Sequence, residues 1–448
     1  MFVEQLKTIN QSMTQSEFIA VIDLGTSKIK GIVGRKNENN VISIMESEII
    51  DSGNSIRRGM VYNIEEAGAS IRKLITMLEN SIGDKIGKVY VSLTGQSLHT
   101  LEFRESKMLS SGGIVTQDVV DQLNSSAEKY SPDMQKNYSV ADVEYYIDGK
   151  TEKNPVGVAG SEVEASFQIV VGRPNLLSNI EKSVTGKAKL PIADYIVGAL
   201  ASAAVTLNEE EKELGCAFID FGAGTTSVSV YKDGILRRSV VIPFGGKSIT
   251  KDISALNLTE SDAEQLKIKF GKAIETHESP FFSSPFSSKP DIDLTELNRV
   301  IGLRLDEITA NIIEQIRLSG YENKLGAGVV ITGGASQLKN LNEYLVQKLK
   351  MPVRRATAKK SYINNAPDLI SNPSFTQALG MLLLGQESCK LSVKEVIEES
   401  GEYHSYDKKR SDSKQSIKES KKNKKSTKQG LFEKFGDVFG NMFSDDDE

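Results

Sequence analysis

Residues 19–34 read IAVIDLGTSKIKGIVG, and this stretch decides the fold. An apolar run reaches Asp23, the chain turns at residues 25–27, and apolar residues resume at Ile29. The pattern predicts a β-hairpin with a hydroxyl-rich turn and a carboxylate near the end of its first strand. Glycine lets the backbone approach a ligand, and free N–H groups beside hydroxyls can hold phosphate oxygens. The same residues would also form an ordinary hairpin turn, so the hairpin alone leaves both interpretations open.

The chain contains the same pattern a second time. Residues 217–231 read AFIDFGAGTTSVSVY, so that Ala-x-Ile-Asp-x-Gly begins at Ala20 and again at Ala217. This repetition predicts two related halves that face each other across a cleft. Opposed glycine-rich turns can hold a polyphosphate from both sides, and Asp23 and Asp220 carry hard oxygen ligands that can reach Mg²⁺ directly or through water. We therefore interpret the two hairpins as a nucleotide clamp.

Composition limits the class of protein. A chain of 448 residues with 39% hydrophobic and 26% charged residues can form two or more globular domains with their own cores. A net charge of −5 gives no electrostatic footprint for nucleic acid as a partner. Cys216 and Cys389 lack metal-ligand spacing and the three histidines are scattered, so no metal cluster is predicted. This cysteine usage fits a reducing cytoplasm.

The N-terminal segment and the overall hydropathy bear on location. Residues 1–17 are polar and lack the apolar core of a signal peptide. No apolar run approaches the length of a membrane span. We therefore expect a flexible N-terminal lead on a protein that is made and kept in the cytoplasm.

Changes of pattern along the chain predict an α/β fold with two lobes and an insertion. The residues from 86 to 166 read as a small α+β subdomain inserted in the first half. Two apolar helices rich in small residues, 193–207 and 372–385, are expected at the pivot between the lobes. The predicted segments are a flexible lead (1–17), the first lobe (18–85 and 167–208), the inserted subdomain (86–166), the second lobe (209–387), a disordered basic linker (388–429), an amphipathic helix (430–444) and an acidic end (445–448).

The second half contains the candidate nucleoside site. Residues 328–336, GVVITGGAS, predict a strand, a Gly-Gly turn and a helix, where adenosine could lie against the backbone; an ordinary strand-to-helix turn is the alternative. Glu264 and Lys267 could reach a nucleoside from one helix face, although a solvated ion pair is the default interpretation of this spacing.

Residues 245–248 read GGKS like the end of a P-loop. Val241 stands where the first glycine belongs, so the Walker pattern fails.

The C-terminal tail predicts a membrane contact. Residues 408–428 contain nine lysines and one arginine among polar residues, which is typical of a disordered basic linker. Residues 430–443, GLFEKFGDVFGNMF, would be a marginal helix in water, because they are few and include three glycines. A protein groove could receive its apolar face. The four phenylalanines and the adjacent basic linker favour a membrane surface with anionic lipids. On a helix the apolar residues share an arc of about 140°; they are Leu431, Phe432, Phe435, Val438, Phe439, Met442 and Phe443.

The ordered set of two hairpins, two connecting helices and a Gly-Gly turn resembles the actin-like ATPase superfamily over residues 18–385. Within it the chain resembles the FtsA family of bacterial cell-division proteins, through VIDLGTSKIKGIVG, GGKSITKDIS, AEQLKIKFG and VITGGASQL. The resemblance implies an actin-like two-lobed fold built from duplicated halves, with ATP and Mg²⁺ in the cleft. It implies that phosphates are held by Gly25, Thr26, Ser27 and Lys28 on one side and by Gly222, Ala223, Gly224, Thr225 and Thr226 on the other. It further places Asp23 and Asp220 near the metal, Glu264 and Lys267 near the nucleoside, and Gly333, Gly334 and Ala335 against adenine and ribose.

One departure from related ATPases concerns hydrolysis. Their first connecting helix often starts with a Glu or Gln that positions the attacking water, commonly with Pro after a Glu, whereas this chain has Gly198 and Ala199 there. Loss of a general base costs on the order of 10²- to 10⁴-fold in rate. We therefore predict ATP binding with slow or absent hydrolysis, and no catalytic residue is assigned.

The resemblance also implies a cellular role. Proteins of this family polymerise, bind the C-terminal tail of the tubulin-like division protein FtsZ through their second half, and anchor it to the cytoplasmic face of the membrane at the division site. The inserted subdomain would contact other division proteins. Two alternatives remain on the same scaffold. A pilus-assembly adaptor usually lacks the terminal helix, and a phosphotransferase of the sugar-kinase type needs a substrate-activating carboxylate for which this chain has no clear candidate.

Overall fold

A computed structural model of the chain describes residues 17–110, 112–274 and 293–391. Most of the predicted lead, most of the basic linker and the whole predicted amphipathic helix with its seven apolar residues lie outside the described residues. The strands are β1 (Ile19–Leu24), β2 (Lys28–Lys36), β3 (Ile42–Asp51), β4 (Ile56–Arg57), β5 (Met60–Val61), β6 (Val89–Leu93), β7 (His99–Met108), β8 (Lys136–Ile147), β9 (Lys150–Glu152), β10 (Glu162–Gly172), β11 (Ile192–Val197), β12 (Cys216–Phe221), β13 (Thr226–Lys232), β14 (Ile235–Ile242), β15 (Val329–Thr332) and β16 (Val353–Arg355).

The helices lie between these strands or after the last of them. They are α1 (Ile64–Ile82), α2 (Gln117–Lys129), α3 (Asn175–Glu181), α4 (Gly198–Thr206), α5 (Glu209–Leu214), α6 (Gly246–Ser254), α7 (Glu260–Phe270), α8 (Leu294–Leu318), α9 (Leu341–Leu349), α10 (Pro367–Ser371) and α11 (Thr376–Leu384), with a π-helical turn at Lys182–Lys187 and 3₁₀ turns at Glu322–Lys324, Gly334–Gln337 and Pro373–Phe375. Within the described residues, none of the helices combines the length and the apolarity that a membrane span requires.

Two sheets have the same five-strand arrangement, which confirms the predicted duplication. The first sheet has the order β11-β6-β1-β2-β3, and the second contains β16-β15-β12-β13-β14. In each sheet the first three strands are parallel and the last three are antiparallel. Each half of the chain therefore forms one lobe around the hairpin that its sequence pattern predicted.

The inserted subdomain extends the second sheet. Its strands follow β14 in the order β7-β10-β8-β9, and the two sets of strands are joined by one pair, Val240 with His99. The helix α2 covers the face of these strands with Val120, Leu123 and Ala127. The subdomain thus has its own small core and a narrow backbone connection to the second lobe.

The structure corrects several predicted boundaries. β6 pairs in parallel with β1, so the boundary predicted at residue 86 falls too early. β10 pairs along its whole length with β7 and β8, so the boundary at 166 cuts a strand. Residues 388–391, predicted as the start of the disordered linker, are bound to the first lobe: the Cys389 amide donates to Phe18 O at 2.7 Å, and the Gly87 amide donates to Cys389 O at 2.9 Å.

The predicted helix over residues 193–207 is wrong in its first part, because residues 192–197 form β11 and the helix α4 begins only at Gly198. The second predicted helix, 372–385, is present in the structure. Its first residues form a 3₁₀ turn, Pro373–Phe375, and the α-helix α11 continues from there to Leu384. The two helices cross closely: a Cβ atom on Gly380 of α11 would overlap the carbonyl of Ala201 of α4. α11 packs against β1 and β2, whereas α4 contacts β12 and β13. Each connecting helix therefore contacts the sheet of the opposite half of the sequence.

The longest helix, α8, supports the second lobe. It begins after Asp293, whose side chain accepts a hydrogen bond from the Thr295 amide, as is typical of an N-cap. Its buried residues recur every three or four positions and form one face of the helix, as the sequence predicted. These residues are Leu297, Ile301, Leu305, Ile308, Ile312 and Ile316, and they belong to the core beneath the second sheet.

Candidate functional site

The two hairpin turns have the same local design. A Cβ atom on Gly25 would lie 2.6 Å from the carbonyl oxygen of Lys28, and a Cβ atom on Gly222 would lie 2.8 Å from that of Thr225. Both positions therefore require glycine for the turn to close. Each turn follows a strand that ends beside an aspartate, Asp23 in β1 and Asp220 in β12.

The turns of the two lobes meet across the cleft. Gly224 lies directly against the side chain of Thr26, since a Cβ atom on Gly224 would be 2.8 Å from that of Thr26. Lys247 Nζ donates to Thr26 O at 3.0 Å and ties the second lobe to the first turn. The Thr26 hydroxyl also accepts from the Gly59 amide at 2.9 Å, while Thr94 Oγ1 donates to Gly59 O at 2.8 Å. The glycine of the β4–β5 turn is thereby held over the first hairpin.

The GGKS segment, rejected above as a P-loop, supports the second turn. The Gly246 amide donates to Gly222 O at 3.0 Å, and the Lys247 amide donates to Ala223 O at 2.7 Å. A Cβ atom on Gly245 would come within 2.6 Å of Gly222 O, so this segment lies flat on the turn. The start of α6 therefore fixes the turn through the backbone, with no Walker motif.

A cleft of about 500 Å³ lies between the turns, within the ~300–1,000 Å³ that is typical of small-molecule sites. Its wall contains both turns, Asp23, Asp220, Glu264, Lys267 and the residues Gly333, Gly334 and Ala335. Thr226 is the exception among the predicted site residues. It is fully buried at the start of β13 and its hydroxyl donates to Phe244 O at 2.9 Å, so its side chain supports the turn from behind and does not face the cleft.

The two aspartates are held by side chains from several elements. Asp23 Oδ2 pairs with Lys30 Nζ at 3.0 Å, and Asp23 Oδ1 accepts from Gln377 Nε2 of α11. Asp220 Oδ2 accepts from Ser202 Oγ of α4 at 2.7 Å. Burial raises the pKa of Asp220 to about 6, and the nearby Asp23 carboxylate acts in the same direction, whereas Ser202 and Lys30 oppose the rise.

The arrangement of these carboxylates fits Mg²⁺ held through water. Both oxygens of Asp23 already accept from protein side chains. In residues 17–110, 112–274 and 293–391, no group of three or more His, Cys, Asp or Glu side chains is placed to hold a metal. Mg²⁺ commonly keeps several waters and binds through one or two carboxylates together with substrate phosphates. Two aspartates, one from each lobe, that line the same cleft match that mode better than a cage of direct protein ligands.

The wall of the cleft at α7 contains the predicted ion pair. Lys267 Nζ lies 2.6 Å from Glu264 Oε2 and donates to Gly246 O at 2.9 Å and to Thr250 Oγ1 at 2.8 Å. The Lys267 side chain is 11% exposed and that of Glu264 is 43% exposed, so the carboxylate is the more accessible partner. Burial lowers the pKa of Lys267, and Glu264 opposes this shift. Glu264 and Lys267 thus form an ion pair in the wall of the cleft, but not the solvated pair that the spacing alone suggests, because Lys267 is largely buried.

The Gly-Gly turn follows β15, as predicted, but a 3₁₀ turn precedes the helix, which begins only at Leu341. Gly333 has φ +87°, and a Cβ atom there would overlap Phe221 O and the carboxylate of Asp220. The Gly333 amide donates to Pro373 O at 3.2 Å. A Cβ atom on Gly334 would meet no atom closer than 3.6 Å, so this second glycine leaves open space beside the cleft.

Sequence reasoning missed the side chains that support the site from distant segments. The side chains of Ser202, Gln377 and Thr250 come from three different helices, and the backbone of Gly59 comes from the β4–β5 turn; each takes its place in the site only through the tertiary fold. The one local signal was Gln377, a long polar residue in the first turn of an otherwise apolar helix.

Comparisons with known proteins agree with this architecture. A family model described as "Cell division protein FtsA" matches residues 217–380, and one described as "SHS2 domain inserted in FTSA" matches residues 95–171. The chain is 35% identical over 329 residues to the cell division protein FtsA of Porphyromonas gingivalis, covering 72% of this chain and 68% of the relative. It is 30% identical over 388 residues to the protein of that name from Borreliella burgdorferi, covering 84% and 92%.

A solved structure shares the fold. The chain superposes on a structure titled "PilM-PilN type IV pilus biogenesis complex" with a TM-score of 0.57 and 16% identity, covering 82% of this chain and 98% of that chain. At this identity the likeness concerns the fold alone. Together with the relatives it confirms the predicted actin-like fold with an insertion in its first half.

Proposed function

This chain belongs to the FtsA family of cell-division proteins, and on that premise we propose that it binds ATP with Mg²⁺ in the cleft and hydrolyses it slowly or not at all. The observation that carries the proposal is the contact of two equivalent glycine turns, each beside an aspartate, from duplicated sheets. Backbone N–H groups of such turns and the adjacent lysines suit the oxygens of a polyphosphate.

Different residues of the cleft would hold the phosphates, the metal and the nucleoside of this ligand. The turns at 25–28 and 222–225 would hold phosphates from opposite sides, and Asp23 and Asp220 would hold Mg²⁺ through its waters. Bound Mg²⁺ would neutralise part of the phosphate charge. The carboxylate of Glu264 is accessible to ribose hydroxyls, and the open space beside Gly334 would receive the base.

Calorimetric titration of the full chain with ATP and ADP, with and without Mg²⁺, tests the binding proposal. We expect saturable binding that weakens when Mg²⁺ is chelated. Phosphate release is measured in the same samples. A chain that does not bind ATP, or one that hydrolyses it many times per minute, would contradict the proposal.

We further propose that the chain assembles with copies of itself and tethers the tail of a tubulin-like FtsZ protein to the cytoplasmic face of the cell membrane at the division site. Family membership supports division-machinery partners in general. The tail sequence supports the membrane contact, because fully burying one such apolar side chain contributes ~1.5–3 kcal/mol. Each nearby lysine adds about 1 kcal/mol at an anionic leaflet. The inserted subdomain is the expected contact for other division proteins.

Vesicle flotation tests the tether. We expect the full chain to float with vesicles containing anionic lipid, and a variant ending at residue 429 to remain at the bottom of the gradient. A variant lacking only residues 445–448 is the matched control and should float as well as the full chain. Flotation of the variant ending at residue 429 would exclude the terminal helix as the anchor.

Co-pelleting with an FtsZ tail peptide distinguishes the division role from the pilus-adaptor alternative. Binding of the peptide by the full chain is expected, and a peptide of the same composition in scrambled order is the control. The 16% identity to the pilus complex gives that alternative no functional support. Equal binding of both peptides would contradict the tether.

A further inference from the structure

The structure shows what fills the space beside Gly198, the first residue of α4. A Cβ atom on Gly198 would lie 2.5 Å from Oε1 and 2.7 Å from Cδ of Gln377, which belongs to α11, and 2.7 Å from Cγ2 of Thr94. A side chain at position 198 and the present position of Gln377 are therefore mutually exclusive. The carboxamide from the second connecting helix occupies the space that a side chain on the first would need.

The orientation of this carboxamide is fixed by Asp23. Gln377 Nε2 donates to Asp23 Oδ1, and Asp23 is in turn held by Lys30 at 3.0 Å. A carboxylate only accepts, so the nitrogen must face it. The carbonyl oxygen Oε1 is then the group with which Gln377 can accept a further hydrogen bond.

Gln377 lies between two cavities. It lines the main cleft and also a smaller cavity of about 60 Å³ behind the second turn. Asp220, Gly222 and Thr225 line both cavities as well, and Ser227 and Ser239 line the smaller one, although Ser239 Oγ is already bonded to Ser229 Oγ at 2.9 Å. A water takes about 30 Å³ of liquid volume and needs two to four polar partners. The smaller cavity meets both requirements for one or two waters beside the turn.

We propose that Gln377 is the residue that positions the attacking water for ATP hydrolysis, in place of a side chain at position 198. This inference rests on the proposed binding of ATP. In the reaction the water oxygen forms a bond to the γ-phosphorus while the bond from that phosphorus to the β–γ bridging oxygen breaks. The electron pair leaves on ADP, and the water protons pass to inorganic phosphate and solvent.

The chemistry of a carboxamide sets the expected rate. Oε1 can accept a hydrogen bond from water and orient it, but a neutral carboxamide does not take up its proton. Gln377 thus supplies orientation without a general base, which fits slow turnover and not its complete absence. Misplacement of a reacting group by about 1 Å can cost about a hundredfold in rate.

Three variants test this assignment: Gln377→Ala, Gly198→Ala, and Gln377→Ala combined with Gly198→Glu. The first removes the carboxamide. The second retains Gln377 but displaces its carboxamide, because the new Cβ would come within 2.5 Å of Oε1; it also crowds the Thr94 methyl at 2.7 Å. We expect both to lower the single-turnover hydrolysis rate by about ten- to a hundredfold. For Gln377→Ala the equilibrium dissociation constant of ATP should stay within about threefold of wild type, since this change leaves the residues of both phosphate turns in place.

The double variant returns a carboxylate to the same place from the other helix. We expect it to hydrolyse ATP faster than Gln377→Ala alone, a rescue that loss of helix packing would not produce. Gln386→Ala is the matched control, since Gln386 lies exposed just beyond the end of α11. It should retain the wild-type rate. Melting temperatures of all variants show which of them fold.

Each outcome decides the assignment. A wild-type chain that hydrolyses ATP no faster than Gln377→Ala, with ATP bound by both, overturns this inference and leaves the proposed function standing. Loss of ATP binding by a folded Gln377→Ala variant shows a binding role and overturns the positioning role. If Gln377→Ala does not fold, Gly198→Ala decides by the same criteria. A wild-type chain that does not bind ATP overturns the proposed function and this inference together.

Discussion

Thr26 of the first turn packs directly on Gly224 of the second, so the two lobes touch at the point where their phosphate turns face each other. The atoms closest to a Cβ on Gly224 would be Oγ1, Cγ2 and Cβ of Thr26. Rotation of the Thr26 side chain moves Oγ1 and Cγ2 but leaves Cβ in place, at 2.8 Å. A methyl group at position 224 can therefore be accommodated only if the turns separate.

Gly224→Ala should weaken ATP binding at least tenfold, because phosphate groups held from both sides lose the spacing between the turns. Calorimetric titration with Mg²⁺ and ATP measures the effect. Adding Thr26→Gly restores space for the methyl group and should recover part of the affinity. Equal ATP affinity of wild type and Gly224→Ala would show that the contact between the turns does not control the site.

Burial of Asp220 makes the stability of the nucleotide-free chain depend on pH. Its pKa is raised from 3.8 to about 6, so between these values the folded chain binds the proton more tightly than the unfolded chain. The contribution of Asp220 to the free energy of unfolding must therefore fall as pH rises from about 4 to about 6, and stay low above that range. Asp220→Asn removes this term and retains an acceptor for Ser202. At pH 7.5 it should raise the free energy of unfolding by at most about 3 kcal/mol.

Denaturant unfolding in EDTA at pH 4 and at pH 7.5 measures this difference, which should vanish at the lower pH. The exposed Asp133 provides the control variant Asp133→Asn. Superimposable pH profiles for wild type and Asp220→Asn would mean that the carboxyl group is not penalised by burial. In the same variant, removal of Mg²⁺ should change the affinity for ATP less than it does in wild type, because one of the two carboxylates beside the metal position is lost.

Local patterns were enough to predict the duplicated lobes, since each hairpin alternates apolar residues around a turn that only glycine permits. They failed at residues 192–197, because a short apolar run rich in small residues fits a strand as well as a helix. They could not predict that Gln377 occupies the space beside Gly198, because the two residues come from helices that meet only in the folded chain. Thr226 was misplaced for a related reason: the turn pattern shows which residues are close, but not which side chains face the cleft.

The inserted subdomain is joined to the second lobe by side chains more than by backbone. One strand pair, Val240 with His99, connects the sheets, whereas Arg237 Nη1 of β14 pairs with Glu144 Oε2 of β8 at 2.6 Å. Their side chains are only 13% and 10% exposed. Asp142 strengthens this junction by accepting from the Leu236 amide at 2.9 Å.

Glu144→Gln should destabilise the chain by up to about 3 kcal/mol, because it leaves the buried Arg237 guanidinium with only the longer, more exposed pair to Asp233 at 3.5 Å. Chemical denaturation measures the loss, and hydrogen exchange should show it first in β8 and β10. Glu296→Gln removes one partner of an exposed ion pair and serves as the control, with no measurable change expected. Unchanged stability of Glu144→Gln would show that the backbone pair is sufficient.

The crossing of the connecting helices predicts a sensitive position at Gly380. A Cβ atom there would overlap the backbone carbonyl of Ala201 and lie 3.0 Å from its Cα. Gly380→Ala should lower the free energy of unfolding by about 1–3 kcal/mol, the range for overpacked cores. Gly302→Ala in α8 is the control, because a Cβ there meets no atom within 4 Å and alanine favours a helix. Adding Ala201→Gly should give no rescue, because the overlap is with backbone; a rescue would show that side-chain packing sets the distance.

Glu264 should contribute to affinity through the nucleoside and not through the phosphates. Its carboxylate is the accessible end of the network with Lys267 and Thr250. Hydrogen bonds to a charged group contribute about 1.5–3 kcal/mol, so Glu264→Gln should weaken ATP and ADP binding equally, by at least about tenfold. Inorganic triphosphate, which has no ribose, should compete for the site equally well in both proteins.

Glu314→Gln breaks an ion pair of the same three-residue spacing on the exposed face of α8 and should leave every affinity unchanged. If Glu264→Gln weakened the binding of triphosphate as much as that of ATP, the carboxylate would affect the binding of any ligand in the cleft. Its assignment to the nucleoside would then be wrong.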